Sequence, residues 1–130
     1  MINKILDRLY VGDAEYTPQD IERYKINYVI NLCGKERNSD SIRIHIPDTG
    51  DQNLFHVRHI MTTLEHEMLV KKNRVLVNCR AGMSRSPFII ALYLESIGMS
   101  FDEAVEFITQ RNPITNIAPE LIHWHHGNWM

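Results

Sequence analysis

With 130 residues the chain can bury one hydrophobic core without disulfide or metal staples, and its length fits a single domain over 1–130. An apolar share of 44% and a charged share of 23% exclude a disordered or fibrous chain. Fourteen Lys and Arg against sixteen Asp and Glu leave a net charge of −2, which excludes a global positive field for nucleic acid or an anionic membrane. Any anionic ligand must be held by local groups.

"ILDRLYVG", 5–12, reads as a short strand closed by Gly12, and Thr17-Pro18-Gln19-Asp20 offers a helix N-cap with proline in the first turn, predicting a helix to about Lys25. "YVINLC", 28–33, is a near-continuous apolar run ended by Gly34, as expected of a strand covered on both faces. Polar "GKERNSDS" makes a loop, "IRIHI", 42–46, alternates like an edge or half-buried strand, and "PDTGDQN" breaks it with turn residues. Val57, Ile60, Met61, Leu64 and Met68 then recur at helical spacing, predicting a helix from Leu54 to about Lys72.

"RVLVN", 74–78, is the next buried strand, and a helix follows from Ser86, with Pro87 near its start and Gly98 as its C-terminal cap. Ser100-Phe-Asp-Glu103 is a capping box opening a helix to about Arg111, and a last helix begins near Pro119, packing Trp124. Strands alternating with helices predict an α/β fold: a central, mainly parallel sheet flanked by helices, with right-handed crossovers. Cys33 and Cys79 form no disulfide framework and neither belongs to a paired zinc-ligand cluster. With no basic-then-apolar leader and no run of ~18 apolar residues, the expectation is a soluble protein of a reducing, cytoplasmic compartment with no membrane partner.

The chemistry concentrates in "VLVNCRAGMSRSP", 75–87. Ligands of open α/β sheets sit at the carboxyl ends of strands, and Cys79 ends a strand where a helix begins. Arg80, Ala81, Gly82, Met83, Ser84 and Arg85 can curl so that backbone N–H groups point inward, with Gly82 supplying a left-handed residue and the helix start its positive end. That nest fits a phosphate. Arg85 can return to clamp two phosphate oxygens through its planar fork, and a free thiol, with a pKa of about 8.5, becomes more nucleophilic beside helix N-termini and arginine. The Ser86 hydroxyl can hydrogen-bond the sulfur when a thiolate must leave a thiophosphate. The mechanism requires no metal and no cofactor. Walker and nucleophile-elbow signatures are absent from this stretch.

"NCRAGMSRS" resembles the His-Cys-x-x-Gly-x-x-Arg-Ser/Thr signature of the cysteine-dependent protein tyrosine phosphatase superfamily, specifically its dual-specificity branch. The resemblance extends to "LYVGD", "INYVINLC", "DTGDQNL" and "FITQRNPITN", nearly the whole chain. It implies a phosphatase-like fold and hydrolysis of phosphotyrosine and phosphoserine/threonine in phosphoprotein substrates through a cysteinyl phosphate on Cys79. It also implies a general acid on a separate loop, which a leaving alkoxide or phenolate needs. Asp48 matches the position of the family's aspartate and Asp51 is the other candidate; Asn116 matches an asparagine that follows "RNP" and is expected to be structural.

Two positions stand apart. Asn78 occupies the place of the family's histidine, and an amide cannot carry charge. Cys33 resembles the backdoor cysteine of the phosphoinositide-directed branch, which makes it a candidate redox partner of Cys79 or else a small buried core residue. His56, His59 and His66 fall on the solvated face of their helix, and "HWHHGNW" closes the chain as a helix with loose polar residues. The alternatives to a protein phosphatase are a phosphatase of phosphoinositide or RNA 5′-phosphate, and a module that binds phosphoproteins without turnover. Arg80 followed by Met83 lowers the inositide reading, because that branch often places two basic residues in the loop.

Overall fold

A computed structural model describes residues 1–129. The strands are β1 (Ile2–Leu6), β2 (Leu9–Gly12), β3 (Tyr28–Asn31), β4 (Ile42–Arg43) and β5 (Val75–Asn78), and the helices are α1 (Pro18–Arg23), α2 (Leu54–Glu65), α3 (Arg85–Ser96), α4 (Phe101–Arg111) and α5 (Pro119–Asn128). The strands form one sheet in the order β1-β2-β5-β3-β4, parallel except for the antiparallel β1–β2 pair. The expected helix-flanked, mainly parallel sheet is the observed one. β5 sits at its centre, so the strand that ends in Cys79 has a parallel neighbour on each side.

Side-chain alternation along the strands sorts the sheet's residues into two cores. Leu9, Val11, Ile30, Val75 and Val77 join the larger core with residues of α2, α3, α4 and α5. Tyr10, Val29 and Leu76 face the other way, where Ile21 of α1 and Tyr24 at its C-cap cover them. This explains why 75–78 reads as continuous apolar sequence before Asn78: each face has its own cover. Phe88, fully buried on α3, meets Phe101 and Trp124 edge-on at centroid distances of 6.4 and 6.3 Å, fastening α4 and α5 to α3.

Several boundaries differ from the sequence-based expectation. The single strand over 5–12 is a hairpin, reversed at Asp7-Arg8, where Arg8 takes a left-handed φ of +71°. Arginine gives no turn signal; its guanidinium is instead held by the carbonyls of Met68 (3.0 Å) and Asn73 (3.3 Å). The strands expected over 28–33 and 42–46 pair only over 28–31 and 42–43. Beyond that, single backbone bonds from Leu32 to the Asn78 carbonyl (2.9 Å) and from Ile46 to the Leu32 carbonyl (3.3 Å) extend the pairing before the chain builds loops at the sheet's carboxyl edge. The helix expected to reach Lys72 is α-helical only to Glu65 and continues as a π-helical segment, His66–Val70, with the Lys71 amide on the His66 carbonyl at 3.0 Å. The capping box expected at Ser100/Glu103 forms, the N-cap expected at Thr17 proves to be a second capping box with Asp20, and these hydrogen bonds hold both carboxyl pKa values below the ordinary range. The helix expected from Ser86 starts at Arg85, and Gly98 takes φ +119° just past its C-terminal end.

Replacing Phe88 by Ala removes an aromatic ring from a site shared by three helices. The expected cost is about 3–5 kcal/mol of unfolding free energy, read as a lower urea midpoint at unchanged slope.

Candidate active site

Cys79 is buried at the end of β5, its amide on the Gly12 carbonyl at 3.2 Å. The Ser86 amide, in the first turn of α3, reaches the sulfur at 3.4 Å. Between them the loop carbonyls are held from outside by three segments distant in sequence. The Ala14 amide donates to the Arg80 carbonyl (2.9 Å), the Asn112 side-chain amide to the Gly82 carbonyl (2.9 Å), and the Asn116 amide to the Met83 carbonyl (2.8 Å). In a trans peptide the carbonyl and the following N–H point in opposite directions. The amides of Ala81, Met83 and Ser84 are therefore turned to the inside of the loop, the arrangement of an anion nest.

Gly82 carries φ +67°, as expected of it, and a Cβ there would meet the Gly12 carbonyl carbon at 3.0 Å and its oxygen at 3.1 Å. Gly82 and Ser84 are buried, whereas Arg80, Ala81 and Met83 are exposed on the rim. Arg85, half-buried, donates through Nη1 to the Ile46 carbonyl at 3.1 Å, which ties it to the segment leading to Asp48. The sulfur contact at Ser86 comes from its amide, and its buried hydroxyl has no hydrogen-bond partner. A rotor with no fixed partner keeps its proton free to turn.

Of the two acid candidates the fold brings one to the loop. Asp48 accepts a 2.6 Å hydrogen bond from the Ser84 hydroxyl, which itself accepts from the Ala118 amide at 2.8 Å. Asp51 is exposed, and its amide is bonded within its own turn, to the Thr49 hydroxyl at 3.2 Å.

Asn78 is fully buried; it faces Asn31, its Nδ2 lying 3.5 Å from the Asn31 Oδ1, while its own Oδ1 has no partner. The Asn31 Oδ1 also accepts the Cys33 amide at 2.8 Å, and its Nδ2 donates to the Lys35 carbonyl (2.9 Å) and Asp40 (3.0 Å). This amide pair joins the base of the phosphate loop to the loop after β3. Cys33 is a buried free thiol, as is Cys79, and burial pushes the Cys33 pKa above its ordinary value, with the Arg85 guanidinium pulling the other way. A cleft of about 680 Å³ runs from Arg85 past Asn78 and Cys33 to Lys35, His45 and Arg80. Among the described residues none of its basic side chains is in a salt bridge. His56, His59 and His66 are exposed, away from this cleft's lining.

The bracing side chains had only partial signals in the sequence. Asn116 sits where a structural asparagine was expected, and it braces through its backbone. Asn112, Asn31 and the Ser84 hydroxyl were not singled out. Asn112 is fully buried and held by Asn3 at 2.7 Å, a contact between the first strand and the end of α4.

Fold and loop together define the protein tyrosine phosphatase class. Within it, the chain belongs to the dual specificity phosphatase catalytic-domain family, which matches residues 9–126. Mouse dual specificity protein phosphatase 15 is 28% identical over 128 residues, covering 91% of this chain and 53% of the mouse protein. Human dual specificity protein phosphatase 7 is 31% identical over 126 residues, covering 89% of this chain and 30% of the human protein. The chain thus spans about half of one curated relative and under a third of the other. The crystal structure of DUSP15 superposes with a TM-score of 0.86 at 23% identity, covering 98% of this chain and 87% of that one, a likeness of fold.

Substituting Gly82 by Ala forces a side chain into the left-handed region and against the Gly12 carbonyl. The expected result is a loss of about 1–3 kcal/mol in stability together with weakened vanadate binding, checked by thermal melts with and without the oxyanion.

Proposed function

We propose that this chain is a catalytic unit, over 1–130, that hydrolyses phosphotyrosine and phosphoserine/threonine in proteins. The observation that carries the reading is the braced loop, with its amides turned inward over a sulfur that already accepts from the Ser86 amide. The Cys79 thiolate attacks phosphorus as the bond to the ester oxygen breaks, and Asp48 gives its proton to that oxygen. The Arg85 fork and the loop amides stabilise charge on the transferring phosphoryl group. In the second step the Asp48 carboxylate takes a proton from water, the water oxygen bonds to phosphorus, and the phosphorus–sulfur bond breaks. Ser86 turns its free hydroxyl proton toward the departing thiolate.

Lys35, Arg37, Arg80 and Arg85 outnumber the one carboxylate that lines the cleft, Glu15, which favours phosphoprotein segments with acidic neighbours although the chain's net charge is −2. Among the described residues no helix is long and apolar enough to cross a membrane. A reducing, cytoplasmic setting suits a nucleophilic thiol.

Turnover of an aryl phosphate should vanish in Cys79→Ser and fall by about 10²-fold in Asp48→Asn. Phosphopeptides should then exceed phosphoinositide and RNA 5′-phosphate in kcat/KM. Wild-type inactivity with retained phosphopeptide binding would instead identify a binding module.

Cys33, a buried free thiol like Cys79, is proposed as its redox partner, against the alternative of a small core residue. Peroxide oxidises the Cys79 thiolate to a sulfenic acid, and the Cys33 thiol displaces the hydroxyl as water to form the disulfide. Peptide mapping after mild peroxide, without reductant, should show a linked 33/79 peptide; recovery of sulfinic Cys79 with free Cys33 rejects the pairing.

A further inference from the structure

We propose that Ser84 is a positioning residue for proton transfer: its hydroxyl directs the Asp48 carboxyl so that Oδ2 carries the proton delivered to the leaving group. The proposal rests on the reading of Asp48 as the general acid. Its force comes from a donor-acceptor count. The Ala118 N–H can only donate, so at 2.8 Å it occupies Ser84 Oγ as an acceptor. A hydroxyl has one proton, and the 2.6 Å partner left for it is Asp48 Oδ1. The first bond thus runs from Ala118 to Ser84, and the second from Ser84 to Asp48 as long as Oδ1 carries no proton.

A protonated carboxyl carries its hydrogen on one oxygen. Placing it on Oδ1 would turn the Ser84 proton away from its one acceptor at 2.6 Å and leave it without a partner, so the arrangement that keeps every donor paired carries the proton on Oδ2. Without Ser84 Oγ the two oxygens become equivalent and the group is free to rotate about its terminal bond. The burial contrast supports this. Ser84 is 8% exposed, whereas Asp48 is exposed and needs a fixed partner to hold one orientation.

The backbone of the acid loop is held separately from this contact. Gln52 Nε2 donates to the carbonyls of Pro47 (2.6 Å) and Thr49 (2.9 Å), while Gly50 abuts the first turn of α5, where a Cβ would lie 3.4 Å from the Glu120 carbonyl oxygen. Removing the Ser84 hydroxyl leaves the Gln52 bonds within the loop in place, frees the carboxyl, and also unpairs the Ala118 amide at the start of α5, an effect the thermal midpoint reads separately. Ser84 also contributes an inward-turned amide to the nest. One residue thus spans phosphate and proton donor, and the distance between them is set through a single Cα.

The test is kcat/KM, which reports through formation of the cysteinyl phosphate, across aryl phosphates running from dinitrophenyl to phenyl leaving groups. Poor leaving groups depend on the acid and activated ones do not. In Ser84→Ala the deficit should grow along the series, to be about ten-fold larger for phenyl than for dinitrophenyl phosphate, and Ser84→Thr should restore the slope. In the Asp48→Asn background Ser84→Ala should add no further leaving-group dependence. A Ser84→Ala deficit equal across the series, or one that deepens the slope of Asp48→Asn, overturns the proposal and leaves the role of Asp48 standing. A flat series for Asp48→Asn alone overturns the acid assignment itself, and the proposal with it. Inhibition by inorganic phosphate and the thermal midpoint, followed in each variant, separate misfolding from misorientation.

Discussion

The site depends on where three loop carbonyls point. An anion nest needs several adjacent amides facing one side, and a free loop would satisfy its polar groups in other ways. Here the carbonyls of Arg80, Gly82 and Met83 are each claimed from outside, by Ala14, Asn112 and Asn116. Each such bond in a partly buried setting contributes about 1 kcal/mol net, but its larger effect is on geometry, because it fixes a rigid peptide plane and with it an inward N–H. Pre-fixed amides need no reorganisation when charge develops on a transferring phosphoryl group. Gly82 is the one point where the backbone must pass through the left-handed region and lie against another chain segment.

Side-chain amides carry much of this bracing. Asn112 links Asn3, on β1, to the Gly82 carbonyl, so the edge hairpin of the sheet has a direct connection to the loop. Asn31 and Asn78, adjacent at the ends of β3 and β5, form a second pair that connects the base of the loop to the segment after β3. Asparagine suits both places, since one short side chain offers a donor and an acceptor to backbone groups that leave the sheet ladder. At Asn78 this replaces a chargeable imidazole by a neutral amide. Its buried Oδ1 has no partner, and neither does the Oδ1 of Asp40 at the other end of that network. The cleft beside this network is lined by Asn78, Asn31 and Cys33 together with Arg85.

The acid loop and α5 belong to the same construction. Phe88 holds α5 against α3 through Trp124, and the first turn of α5 carries the Ala118 amide that fixes the Ser84 rotor. Packing in the larger core is thereby transmitted to the carboxyl of Asp48 through a short path of contacts. Arg85 completes the frame from the other side: its bond to the Ile46 carbonyl places the guanidinium next to the strand extension that delivers Asp48. Cys79, Arg85 and Asp48 therefore share supports, and none is positioned by its own element alone.

Local rules decided much of this in advance. Periodicity located α2, caps and prolines marked the starts of the other helices, apolar runs located β3 and β5, and Cys79, Gly82, Arg85 and Ser86 stood out because eight consecutive residues carry their own spacing. Asp48 was separated from Asp51 by resemblance, since both stand in the same polar turn and no local signal distinguishes them. The hairpin at Arg8 was illegible because arginine enters the left-handed region there through contacts with Met68 and Asn73, far along the chain. The same reason covers the braces at Ala14, Asn112 and Asn116, and the Ser84–Asp48 bond. What the amino-acid sequence determined by itself is which residues can do phosphate chemistry and which segments form helices and strands, because propensity, periodicity and caps act within a few residues. What only the tertiary structure decided is which way the loop carbonyls and the acid face, because hydrogen bonds between distant segments set those directions.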